Sequence, residues 1–342
     1  MASTSVFSTT SISIDDILQQ LSVGITPTRS AINDAIHSLQ AHRDIANLLH
    51  YILFNNSSSM LLVSDYQYEN NYYFIILLKC LRYNNSIWNL NVDAKMDGDL
   101  MKEFSTMLGH NRYIKKLTIF APISQQSEEY LIEALKMNTS LDELYIHLNP
   151  YEEHNHFVIQ NILKYLKLNT TITKLELSIY DFSGIDIDRI CNILIHNSTL
   201  ENLYLGNCYI NVDDVNRIIS CLKYNANLQK LLLHGNESNI DTINVIADVL
   251  KYNNTIDTIH IDFIDDPSDA IDDQANDNNI NSDVEKYNDA ITNLSESIYQ
   301  NISIQHLHGI TLTPEIKKNI NINIDNSNIR YRLLLNTLLG LL

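Results

Sequence analysis

An asparagine recurs along this chain at nearly constant spacing. Asn84, Asn111, Asn138, Asn169, Asn197, Asn225, Asn253 and Asn301 each open one phrase: asparagine, two residues, an apolar residue, two residues, another apolar residue. NTSLDELYI from Asn138, NTTITKLEL from Asn169 and NSTLENLYL from Asn197 are examples. Successive steps are 27, 27, 31, 28, 28, 28 and 48 residues. Self-similarity at this period means a stack of supersecondary units, none of which can bury its apolar side alone. Length therefore does not count domains, because such an array grows as one continuous core.

The unit that begins at Asn197 shows what each repeat builds. Leu200, Leu203 and Leu205 sit where a short strand turns its side chains inward. A turn follows at Gly206-Asn207-Cys208, and then Val212, Val215, Ile218, Ile219 and Leu222 keep helical spacing. Asn211 is placed to cap that helix, with Asp213 and Asp214 in the first turn, at the positive end of its dipole. Cations recur two residues before the repeat asparagine as Arg82, Lys136, Lys167, Lys223 and Lys251. The asparagine itself tolerates the left-handed conformation, so it is expected to stop the helix. The same parse predicts strands near 88–92, 115–119, 142–146, 173–177, 201–205, 229–233 and 257–261. It predicts helices near 98–109, 127–137, 155–168, 186–196, 212–224 and 240–252.

Leu200, Leu203, Leu205, Cys208 and Ile210 together spell LxxLxLxx(N/C)xI, which resembles the leucine-rich repeat. The 28-residue period with a full helix is similar to the ribonuclease-inhibitor-like subclass. The resemblance spans roughly residues 55–310 and implies an α/β solenoid, a right-handed horseshoe of about nine repeats with parallel strands on the concave face and helices on the convex one. At the asparagine-or-cysteine position of that family stand Lys95, Pro122, Asn149, Tyr180, Cys208, Asn236 and Ile264. Only Asn149, Cys208 and Asn236 conform, which predicts a patchy hydrogen-bond ladder beneath the strands. The ends are read as a disordered tail over 1–14, an N-terminal helical cap over 15–54 and a C-terminal helical cap over 314–342, around repeats spanning 55–313. The long step contains a segment dense in Asp and Asn, expected to be a mobile acidic loop over 262–285.

The net charge of -18 argues against nucleic acid and anionic membranes, both of which need clustered cations. The N-terminal residues lack the pattern of a secretory signal, and LLLNTLLGLL at the C-terminus is too short to span a bilayer. The four cysteines have neither zinc nor redox spacing, so they read as small buried hydrophobes in a reducing, cytoplasmic compartment. Asn84, Asn138, Asn169, Asn197 and Asn301 each open a glycosylation sequon, which is read as repeat grammar. The acidic segment lacks EF-hand spacing, and no phosphate loop, hydrolase elbow or dinucleotide fingerprint is present. No catalytic residue, metal site or cofactor is assigned.

What remains is the face formed by outward strand residues. Trp88, Phe120, Tyr145, His147, Glu176, Tyr204, Leu232, His234 and His260 are the candidate partner-binding residues, the aromatic ones as exposed interface anchors. The three histidines are read as binding-surface residues, not metal ligands. Resemblance to the family implies a non-enzymatic protein-interaction scaffold, and the acidic balance favours a basic protein partner met by a monomer. Two alternatives are a small-GTPase activator, for which the strand-to-helix loops offer no arginine finger, and a ubiquitin-ligase adaptor, for which residues 1–54 carry no convincing F-box. Heavy Asn, Ile and Tyr usage fits an AT-rich genome of a protist or a large DNA virus; in a virus the partner would be a host protein.

Overall fold

The computed structural model describes residues 12–23, 25–39, 46–47, 49, 52–53, 60–64, 71–94, 98–120, 125–148, 155–179, 182, 184–264, 278–310 and 316–320. The chain divides into two compact units, Met1–Leu141 and Asp142–Leu342. In the first, helices Ile14–Ser22 and Arg29–Ser38 precede strands β1 (Met60–Ser64), β2 (Asn89–Asp93) and β3 (Lys116–Ile119). Helices Asn71–Leu81, Gly98–His110 and Gln125–Met137 follow these strands in alternation. In the second, β4 (Glu143–Leu148), β5 (Lys174–Ile179), β6 (Asn202–Tyr204), β7 (Lys230–Leu232), β8 (Thr258–Ile264) and β9 (His306–Ile310) alternate with helices Asn155–Leu166, Gly184–His196, Val212–Ser220, Ile240–Leu250 and Asn278–Gln300.

Within each unit every strand pairs in parallel with the next strand in the chain, so spatial order equals sequence order. Leu90 lies beside Leu61 and Leu117, and Leu175, Leu203, Leu231, Ile259 and Leu307 likewise stand in one row. These side chains point at the helices and are buried. Each unit is thus an α/β leucine-rich-repeat solenoid, with a strand layer backed by a helix layer.

The repeat asparagines make this stacking possible through their side chains. Asn253 is buried; its Oδ1 accepts from the N–H groups of Thr255 at 2.9 Å and Ile256 at 2.8 Å, which shapes the corner into the next strand. Its Nδ2 donates to Leu222 O at 2.7 Å and Asn225 O at 2.9 Å in the preceding repeat. Asn111, Asn138, Asn197 and Asn301 repeat the whole pattern. Asn84 reaches Ile52 O and Asn225 reaches Leu194 O, each keeping the two-amide corner. Asn169 keeps the corner too, while its Nδ2 donates to Tyr165 Oη at 2.6 Å. The amide nitrogen a glycan would need is therefore spent inside the fold at the sequon positions.

Several expectations change. The asparagines are not left-handed helix stops: among the described non-glycine residues only Asn207 and Tyr209 have positive φ, and Asn225 is extended at φ -100. The expected patchy ladder at the second asparagine-or-cysteine position is represented by Asn236, whose Nδ2 donates to Leu205 O and Leu233 O at 2.7 Å, and by Cys208, whose Sγ donates to Leu177 O. The inter-repeat ladder that recurs lies at the first asparagine instead. The loop expected over 262–285 is partly regular: 262–264 belong to β8, and 278–285 open a 23-residue helix. Buried Tyr287, Ala290, Ile291, Leu294 and Ile298 supply the helical stripe that holds it; residues 265–277 lie outside the described residues. At the N-terminus the helix begins at Ile14, inside the expected tail, where Ser13 and Asp16 form a capping box. Of the C-terminal cap only 316–320 is described, and it is helical.

The recurring cations also have a use. Arg82 pairs with Glu103, Lys223 with Asp248, and Lys167 Nζ donates to Asn192 Oδ1 at 3.1 Å, so each reaches the following helix. These contacts keep partial access to solvent, where an ion pair adds little compared with the buried amides. Asn253→Ala removes the partner of the Thr255 and Ile256 N–H groups and of the Asn225 carbonyl at once, while Leu222 O keeps the Asn225 N–H. With each unsatisfied group costing about 1–3 kcal/mol, the expected loss in urea denaturation is about 3 kcal/mol or more. Asn239→Ala, which removes only a helix N-cap, is expected to cost about 1 kcal/mol. Equal losses for the two would remove the asparagine ladder from its structural role.

Candidate functional site

Side chains that alternate away from the helices form rows across the strands of each unit. In the second unit one row runs Tyr145, Glu176, Tyr204, Leu232, His260 and His308, and its neighbour runs Glu143, Lys174, Asn202, Lys230, Thr258 and His306. The rows exist because strand side chains alternate and parallel registers are in step. In the first unit Met60 and Leu62 of β1 face Asn89 and Asn91 of β2 in register, and Leu62 is 50% exposed. Phe120, just beyond β3, is 43% exposed.

Two expected anchors are placed differently. Tyr145 is not an exposed contact residue: it is only 7% exposed. Its hydroxyl donates to Glu143 Oε2 at 2.7 Å, and Lys174 Nζ lies 5.3 Å from its ring centroid. Burial, then the hydrogen bond to Glu143, pushes its phenol far above the ordinary range. Lys174 lies 4.7 Å from the Tyr204 ring as well, so one ammonium sits between two aromatic faces. Trp88, 45% exposed, belongs to the corner before β2, where its carbonyl accepts from Lys115 and Lys116.

The structure brings His234 and His260 together and adds two histidines that the sequence reading passed over. The rings of His234 and His260 stack with centroids 5.1 Å apart, His260 and His308 are tilted at 5.2 Å, and His306 and His308 stack at 6.2 Å. The signal was present in QHLHG, where His306 and His308 flank the inward Leu307 at strand spacing. Gly206 makes room at the other end: a Cβ there would lie 2.5 Å from His234 Cε1. Burial lowers the His260 pKa from its ordinary 6.5, followed by repulsion from His234 and His308, while Asp262 opposes them. His147 stands apart, with Nε2 3.7 Å from Glu176 Oε1. Burial outweighs that carboxylate and lowers its pKa as well. Among the described residues no group of three or more His, Cys, Asp or Glu is arranged to hold a metal ion.

The turn after β6 is also unusual. Asn207 and Tyr209 both adopt left-handed φ, near 56 and 54, and the exposed Tyr209 is a bulky residue for that region. Gly235, at φ 75, packs against Asn207, whose Oδ1 would lie 2.2 Å from an added Cβ.

A histidine with a lowered folded pKa binds fewer protons folded than unfolded, so stability rises with pH across the interval between the two values. The contribution of His260 is complete above 6.5 and is lost as pH falls from there through the lower folded value. The urea midpoint should therefore drop more between pH 7.5 and pH 5 in the parent chain than in His260→Gln, pH values chosen to bracket the ordinary histidine range of about 6.5. Identical drops would show that His260 does not resist protonation in the folded chain.

No family model matches the chain, and no curated protein matches it in sequence. Solved structures that resemble it include the actin-binding site 2 of leiomodin-1, at a TM-score of 0.37 and 20% identity over 46% of this chain and 91% of that one. Another is an internalin (InlF) from Listeria monocytogenes, at a TM-score of 0.34 and 11% identity over 69% of this chain and 66% of that one. Likeness of that degree leaves the chain's own geometry as the ground for its fold.

Proposed function

We propose that this chain is a non-enzymatic scaffold whose strand face takes a partner protein, and that its repeats are of the ribonuclease-inhibitor-like subclass. The observation that carries this reading is the contrast between the two sides of each strand. Inward leucines and isoleucines are fully buried, whereas the outward rows leave Leu62, Phe120, Tyr204, Leu232 and the histidines partly or largely open to solvent. Half-exposed aromatic and aliphatic groups on a rigid sheet lose little side-chain entropy when covered, which suits interface anchors. The full helix in each 28-residue unit supports the subclass.

The partner is a protein of basic character, drawn by the net charge of -18 through steering more than contact energy. No described helix is long and apolar enough to cross a membrane, and the proposed setting is the cytoplasm, with the chain acting as a monomer; if the source is a virus, the partner is a host protein.

Proximity labelling in the native cell with paired variants tests this. Phe120→Glu and Leu232→Glu put charges on the strand face, and Tyr224→Glu puts one on an exposed residue that ends a helix. Phe120→Glu tests the strand face of the first unit and Leu232→Glu that of the second, and each should lose labelled proteins that Tyr224→Glu retains. A label set unchanged by both strand-face charges would overturn the reading. Tyr145 is unsuitable for this test, because its burial would turn a binding variant into a folding variant.

A further inference from the structure

The helix layer of the second unit holds two thiols side by side. Cys191 lies in the helix Gly184–His196, and Cys221 opens the 3-10 turn Cys221–Tyr224 of the next repeat. Both are free and only partly buried. They line one open depression with Asp213, Asn216, Arg217 and Ser220. The two thiols lie close enough to shift each other's titration. Cys221 Sγ donates to Arg217 O at 3.3 Å. The Arg217 guanidinium, held by Asp188 and Asp214, supplies a cation beside the pair.

We propose that Cys191 and Cys221 form a peroxide-sensitive dithiol that closes into a reversible disulfide between adjacent repeats. Cys191 is the attacking sulfur: the neighbouring Cys221 thiol and then Arg217 lower its pKa against burial, Asp188 and Asp214, whereas the same pairing and burial raise Cys221. The Cys191 thiolate attacks one oxygen of hydrogen peroxide; an S–O bond forms, the O–O bond breaks, and the departing hydroxide takes a proton to become water. The sulfur has lost two electrons and the peroxide has gained them, leaving a sulfenic acid. Cys221, giving up its proton, then attacks that sulfur; the S–S bond forms, the S–O bond breaks, and the hydroxide leaves as a second water.

The other two cysteines are internal controls. Cys80 is buried with its thiol pushed up to about 12, and Cys208 is buried with its Sγ donating to Leu177 O at 3.2 Å. Neither presents a thiolate to solvent. The disulfide would bind two neighbouring helices on the layer behind the strand face, so it is independent of what that face binds.

The test uses the full chain, reduced, freed of reductant and exposed to limiting hydrogen peroxide. Peptide mapping without reduction should show loss of two of the four thiols as a Cys191–Cys221 cross-linked peptide, restored by dithiothreitol. Cys221→Ser should stop at a sulfenic acid on Cys191, trapped by dimedone, and Cys191→Ser should yield no cross-link. Even loss of all four thiols, disulfides mainly between chains, or a Cys191→Ser chain that oxidises as fast as the parent would each overturn the proposal. Phenylarsine oxide gives a second readout on the unaltered chain, needing no substitution and no oxidant. Stoichiometric uptake with protection of Cys191 and Cys221 from alkylation is expected, and absence of uptake would overturn the pairing.

Discussion

A buried asparagine carboxamide, used at both ends, is the interaction on which the stack depends. A helix leaves its last carbonyls without partners, and a short strand begins with N–H groups not yet in a ladder. Leu81, Leu108, Leu166, Leu194, Leu222 and Leu250 each present a carbonyl near a helix C-terminus, and each accepts from the asparagine that opens a later corner. That asparagine's Oδ1 meanwhile accepts from two N–H groups of its own corner. Aspartate has no donor for the carbonyls, and a hydrophobe satisfies neither side. The requirement for two donors and one double acceptor on a short arm selects this residue once per repeat.

With the corners fixed, the strands have little freedom. The carbonyls of Asp142, Thr173, Glu201, Gln229 and Asp257 each accept from two successive N–H groups one repeat later, which aligns the following registers. In-step registers put leucine beside leucine toward the helices and leave the opposite rows free to vary. One set of hydrogen bonds therefore explains both the uniform core and the variety of the open face, because a strand cannot slip by one residue without burying the wrong set.

Most of the architecture was legible because it is periodic. The asparagine phrase and the alternating leucines mark every strand from β2 to β7 to within a residue or two and the start of β8 to within one, and the 3.6-residue spacing marks the helices between them. Two things were hidden by local composition. The helix Asn278–Gln300 starts in a polar stretch, and its stripe of Tyr287, Ala290, Ile291, Leu294 and Ile298 only becomes apparent further along. The asparagine's role was misjudged because its backbone preference suggested a left-handed stop, whereas its side chain has the stronger claim in a buried corner.

The site was less legible, for a reason that the rows make plain. Parity in a strand says that Tyr145 points away from the helices, but it cannot say what its neighbours do above it. Glu143 and Lys174, one on its own strand and one on the next, close over the ring and convert an outward residue into a buried one. The histidines show the converse. Each is unremarkable alone, yet parallel registration sets His260 beside His308 and within ring contact of His234, and the glycine at 206 leaves the space that lets the end ring lie flat. A surface built this way draws its chemistry from neighbours about one repeat apart in sequence. Its character therefore belongs to combinations of strands, and a single exposed residue on it is a poor guide to what it binds.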